Sequence, residues 1–198
     1  SAPAVRSTAG SKAPGGEDVA IIGVSGRYPL AADVNEFWAN LQAGRDCITP
    51  IPADRWDVAR FHGDPAGDER RRSYSNCGGF VSDVDKFDPL FFNISPREAE
   101  LMDPQERLFL ESAWSAVEDA GYTRRRMSFP SSTPSPRQRV GVFVGVMYGS
   151  YQLFGAEEWA RGRFVNANSG YWSIANRVSY VLDLEGPSFA VDSACSSS

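Results

Sequence analysis

Three separated segments predict an α/β protein. VAIIGV (19–24) and RVGVFVGV (139–146) are apolar runs rich in β-branched residues, and SFAVD (188–192) is a third, shorter one. Such runs mark strands buried on both faces, as in a parallel sheet. The stretches between them carry helical periodicity and capping signals. Strands alternating with helices make an α/β architecture with a largely buried sheet.

The elements follow in chain order. Residues 1–17 are small and polar and read as a flexible segment, with no apolar stretch of the kind a secretory signal needs. Residues 18–198 form the folded part. The turn after the first strand reads GVSGRYP, which is not GxGxxG. Pro29 falls where a phosphate-binding helix would begin, so a dinucleotide site is not expected. Asp33 then opens a helix, with Glu36 three residues on in a capping-box pattern. Val34, Phe37, Trp38 and Leu41 form its apolar face, and Gly44 ends it. Residues 46–78 are irregular, with Trp56 and Phe61 expected to pin them to the body. GGFVSDVDKFDPLFF (78–92) reads as a short strand or hairpin.

Two helix starts come next. Ser95-Pro96-Arg97-Glu98 and Asp103-Pro104-Gln105-Glu106 each supply a cap, a proline at the first helical position and a glutamate at the third. The second helix sets Leu110, Ala113, Trp114 and Val117 on one face and stops at Gly121. Residues 123–138 are a Pro/Ser/Arg-rich surface loop. The strand 139–146 leads into the turn VMYGSYQ. A helix over 168–183 puts Tyr171, Ile174, Ala175, Val178 and Leu182 on one face, and Gly186-Pro187 breaks it before the last strand.

Composition excludes several classes of function. No apolar run is long enough to span a bilayer, so no membrane partner is expected. The net charge is −5, and Lys12 and Lys86 are the only lysines. The arginine runs Arg70–Arg72 and Arg124–Arg126 lie in polar loops without interleaved aromatics, which argues against nucleic acid. Cys47, Cys77 and Cys195 are far apart, with no CxxC or Cys/His cluster. Neither a metal site nor a disulfide framework is expected, and a reducing cytoplasm fits.

The chemistry concentrates in AVDSACSSS (190–198). A sharp turn after a strand can lift a nucleophile out of a sheet and set it at a helix N-terminus. There the dipole and unpaired N–H groups favour a thiolate and can bind the oxyanion of an attacked acyl group. Small neighbours, Ser193, Ala194 and Ser196–Ser198, permit the turn. Spacing alone leaves two readings of Cys195 open: this nucleophile, or a strand-end cysteine packing as a small hydrophobe. Cys47 and Cys77 lack the strand-to-helix setting and read as structural. His62, the sole histidine, lies in the loop FHGDP, so a Cys/His protease finds little support.

From Asp18 to Ser198 the sequence resembles the ketosynthase domain of modular polyketide synthases, a branch of the thiolase-like condensing enzymes. The motifs are VAIIGVSGRYP, EFWANLQAGRD, IPADRWD, FFNISPREAELMDPQERLFLESAWSAVEDAG, VGVFVGV, ANRVSY and GPSFAVDSACSSS. YWSIANRVSY is similar to synthases whose acyltransferase acts in trans. The resemblance implies a thiolase-like fold of two similar halves layered αβαβα, with this chain covering about the first half. It implies that Cys195 accepts an acyl chain from an acyl carrier protein; Ser193 stands where the family usually has threonine. The complete domain would then join that chain to a malonyl-type extender by decarboxylative Claisen condensation.

The same resemblance places two histidines, a lysine and a glycine-rich oxyanion loop beyond Ser198, and His62 matches neither histidine. It implies no cofactor of the domain's own, the substrate being presented on the phosphopantetheine of the carrier protein. The implied partners are the acyl carrier protein, acyl thioester substrates, the remaining half of the domain and a second copy, joined as a homodimer along strand 188–192. Met147, Tyr148 and Asn168 resemble segments that line the acyl pocket; ordinary loop and cap packing is the other reading of each. Two alternatives for the whole stand beside condensation. One is a non-elongating ketosynthase that passes acyl chains on or forms a variant bond. The other is a catalytically silent fragment.

Overall fold

Paired strands are few, and helices dominate the ordered elements. The computed structural model describes residues 18–63, 72–123, 140–167 and 169–197. The first helix, α1, spans Val34–Gln42. Asp33 caps it, its Oδ1 accepting from the Glu36 N–H at 2.9 Å. Glu36 reaches back to the Ala32 N–H at 2.8 Å, one residue earlier than in the usual capping box. Gly44 follows at φ +58, a left-handed position that suits glycine.

A two-residue antiparallel pair joins β1 (Thr49–Pro50) to β2 (Cys77–Gly78). Between them lies the single turn α2 (Val58–Phe61). The expected anchoring of this region is local: Trp56 stacks on Phe61 at 5.4 Å between ring centroids, and Arg60 lies over the Phe61 ring.

The two capping patterns produce α3 (Pro96–Leu101) and α4 (Pro104–Asp119). Ser95 Oγ accepts from the Glu98 N–H at 3.2 Å, and Asp103 Oδ1 from the Gln105 N–H at 2.8 Å. Leu110 is fully buried in the core, with Ala113, Trp114 and Val117 packed beside it. The chain then forms β3 (Val142–Gly145), α5 (Gln152–Ala160), α6 (Tyr171–Leu182) and β4 (Ser188–Val191). β3 and β4 run parallel, with Val142 opposite Ser188 and Gly145 opposite Val191. Parallel strands need a crossover. Here it includes α6, which packs on both strands and on α4. Ile174, Ala175, Val178 and Leu182 of α6 meet Val142, Val144 and Val146 in the core.

Four expectations need correction. VAIIGV forms no strand, and Val19 and Ile21 are 93% and 84% exposed. An apolar run becomes a buried strand only when neighbours pair its edges and cover its faces. Among the described residues no strand pairs with this run, although α4 meets its end, where Asp119 Oδ2 accepts from the Val24 N–H at 2.8 Å. Similarly β3 is buried on one face only, with Phe143 outward. The apolar face of α1 is largely uncovered, Trp38 and Leu41 being exposed. α6 ends at Leu182, before Gly186, because Asp183 takes the left-handed cap at φ 56. Gly186 serves a different purpose: a Cβ there would lie 2.4 Å from the Val140 backbone, so glycine lets the two segments close up. The helix α5 is additional to the elements read from the sequence. Residues 1–17, read as a flexible segment, and residues 124–138 of the expected surface loop lie outside the described residues.

Candidate functional site: the turns at the ends of β3 and β4

The parallel pair directs two turns to the same end. Val146 continues the ladder by donating to the Val191 carbonyl at 3.1 Å. Past that point one chain becomes Met147–Gly149 and the other Asp192–Ser197. Ligands of α/β sheets bind outside the carboxyl ends of the strands, where such turns meet.

The turn that carries Cys195 is built by its own small side chains. Asp192 Oδ1 accepts from the Ala194 N–H at 3.1 Å. Ala194 stands at φ +53. Ser197 Oγ accepts from the Ser193 N–H at 2.8 Å and donates to the Ala194 carbonyl at 2.9 Å. Ser196 Oγ donates to the Ser193 carbonyl at 3.0 Å. Backbone bonds from Ser196 to Ser193 and from Ser197 to Ala194 complete two successive tight turns. The serines therefore supply hydrogen bonds as well as small size. Cys195 is left exposed, as a free thiol.

Glycine at 145 permits this arrangement. A Cβ on Gly145 would sit 2.4 Å from the Ser197 carbonyl oxygen, closer than any real contact. The turn after β4 thus lies directly on the last residue of β3.

Met147 is half-buried and Tyr148 is 74% exposed. Tyr148 has φ +67. Its carbonyl accepts from Gln105 Nε2 at 2.9 Å. Tyr151 Oη donates to the Glu100 carbonyl at 3.0 Å, so α3 and α4 hold this turn from two sides. An open cleft of about 290 Å³ runs beside it, lined in part by Gln105, Val144, Gly145, Val146 and Ile174. Wider clefts, of about 740 and 620 Å³, lie elsewhere, and Cys195, Met147 and Tyr148 line none of the three.

Asn168 lies outside the described residues, as does Ser198. His62 caps the end of α2 and pairs through its backbone with Ser73. Cys47 Sγ faces the Arg45 carbonyl at 3.6 Å, and Cys77 is in β2. Neither belongs to the turns at 147 and 195. Sequence reasoning missed Gln105, which an apolar-face reading of α4 passes over. It also missed the buried carboxylate of Glu106 and its partner Arg177 on α6. A glutamate at a position facing the core, with an arginine one helix away, was the available signal. Among the described residues, no helix is long and apolar enough to cross a membrane.

Comparison with known proteins gives the class. Residues 16–198 match the family described as beta-ketoacyl synthase, N-terminal domain, and the chain belongs to that family. It is the N-terminal ketosynthase region of a modular polyketide synthase. It is 56% identical over 182 residues to polyketide synthase PksL of Bacillus subtilis, covering 92% of this chain and 4% of that protein. It is 53% identical over 197 residues to polyketide synthase ThaG of Burkholderia thailandensis, covering 98% and 3%. Among solved structures, the oxazolomycin ketosynthase domain OzmH KS7 of Streptomyces albus superposes with a TM-score of 0.80 at 51% identity, over 90% of this chain and 29% of that one. The ketosynthase from module 6 of the Bacillus subtilis bacillaene synthase gives 0.72 at 40% identity, over 90% and 27%. The chain thus spans a small part of each relative.

Proposed function

We propose that Cys195 is the acyl acceptor of a polyketide-synthase ketosynthase. The observation that carries this reading is the exposed thiol on a hydrogen-bonded turn at the carboxyl end of β4. Its thiolate adds to the carbonyl carbon of an acyl thioester borne on the phosphopantetheine of an acyl carrier protein. The new C–S bond forms as the old one breaks, and the departing sulfur takes up a proton. The Cys195 N–H is one donor for the oxyanion. A thiolate suits this exchange because it is both a good nucleophile and a good leaving group.

In the complete domain, a malonyl-type extender then loses carbon dioxide. Its carbanion attacks the Cys195 thioester, a C–C bond forms, and the thiolate is released. Histidines and a lysine outside residues 1–198 assist that step. Met147 and Tyr148 face the acyl chain, and Asn168, outside the described residues, keeps only the pocket role that the resemblance implies. The domain needs no cofactor of its own and works in the cytoplasm. The full fold is the thiolase-like αβαβα layering, assembled as a homodimer along the outer edge of β4.

The test is condensation by the complete domain, given an acyl-loaded and a malonyl-loaded carrier protein. A β-ketoacyl product is expected from the native domain and none from Cys195→Ala. Product formation by that variant at the native rate would overturn the proposal.

A further inference from the structure

We propose that Gln105 is a positioning residue that sets acyl-chain selectivity by holding the turn 147–151, an inference that rests on the reading of Met147 and Tyr148 as acyl-pocket residues. Tyr148 stands at φ +67, a backbone conformation that side-chain-bearing residues rarely adopt. Such a conformation persists only when its surroundings hold it. Gln105 Nε2 donates to the Tyr148 carbonyl at 2.9 Å, 43 positions away in sequence. A carbonyl only accepts, so the orientation of the glutamine amide is fixed by its partner.

The holder is itself rigid. Gln105 is the second residue of α4, after Pro104, and its own N–H donates to Asp103 Oδ1 at 2.8 Å. Tyr151 and Gly149 fix the far end of the turn: the Tyr151 hydroxyl reaches the Glu100 carbonyl at 3.0 Å, and a Cβ on Gly149 would lie 2.8 Å from the Tyr171 ring. The peptide after Tyr148 is the part of the turn whose orientation depends on Gln105. Without the amide donor that peptide rotates, and the side chains of Met147 and Tyr148 move with it. Pocket shape acts on selectivity as a difference between substrates, so loss of the hydrogen bond blurs discrimination.

The experiment uses the complete ketosynthase domain and measures Cys195 acylation by pantetheine thioesters of an acetyl and of a longer branched acyl group. Gln105→Glu keeps the shape, removes the donor and places a negative charge in the first turn of α4, where the helix dipole favours it. The melting temperature should hold or rise while the ratio of kcat/KM between the two thioesters shrinks about fivefold, within the range that one contact in an apolar pocket commands. Gln105→Lys, which regains a donor, should restore most of that ratio. An unchanged ratio in Gln105→Glu overturns the inference. Met147→Ala separates the two levels. If it shifts the ratio while Gln105→Glu does not, only the positioning role falls. If neither variant shifts it, the pocket reading falls as well.

Discussion

Arg177 Nε donates to Glu106 Oε1 at 2.8 Å between α6 and α4. The glutamate is 1% exposed, and Ser173 Oγ donates to the same oxygen at 3.0 Å. Arg177 Nη1 also faces Glu98 Oε1 at 2.7 Å, so one guanidinium ties α6 to both α3 and α4. Glu106→Ala removes the buried acceptor that Arg177 and Ser173 share, while Glu98 still faces the guanidinium. The loss of hydrogen bonds to a charged group should therefore cost about 1.5–3 kcal/mol. Denaturant unfolding of the complete domain measures it, and a loss below about 1 kcal/mol would assign the pair the weight of a surface contact.

Glu158 of α5 gives a pH signature. Arg163 and Arg161 hydrogen-bond its carboxylate and hold its pKa down, from the ordinary 4.5 to about 2. A depressed carboxylate stabilises the folded state fully above its unfolded pKa and loses that effect as pH falls through the folded value. The contribution is thus present above pH 4.5 and is lost between there and about 2. Glu158→Gln should flatten the fall of melting temperature across that window and lower it at neutral pH. Parallel melting curves for both proteins from pH 6 downward would contradict this.

Gly145→Ala tests the contact between β3 and the cysteine turn. The added methyl meets the Ser197 carbonyl at 2.4 Å, so the turn must shift. Overpacking of this kind costs about 1–3 kcal/mol. Displacement of a nucleophile by about an ångström costs far more in rate, of order a hundredfold. The expected result is a domain that still folds but acylates much more slowly. Native acylation kinetics would show that the turn accommodates the methyl.

Residues 1–198 expressed by themselves should aggregate or stay partly unfolded. Val19, Ile21, Ile22, Phe143 and Phe189 are exposed, on an unpaired segment and on the outer face of β3 and β4. Large exposed apolar surfaces associate. Light scattering and a thermal melt decide the point, and a soluble monomer with one cooperative transition would refute it.

What was legible in the sequence was local. Ser95, Asp103 and Asp33 announce their helices because a cap is a short-range hydrogen bond. The apolar face of α6 was legible because its partner strands are within the chain. The first strand failed because pairing is not a property of VAIIGV alone. α5 was invisible because Tyr151 provides no side-chain cap and ion pairs at Glu158 replace a clear apolar face. At the site, Cys195 was legible from strand context and small neighbours. Gln105 was not, since its bond to Tyr148 spans 43 residues and leaves no periodic mark.

Intact-mass analysis of the complete domain after incubation with an acyl thioester tests the role of Cys195 most directly. One acyl increment is expected on the native protein, mapped to the peptide holding Cys195, and none on Cys195→Ala. An increment that survives in Cys195→Ala would contradict the assignment of this cysteine as the acyl acceptor.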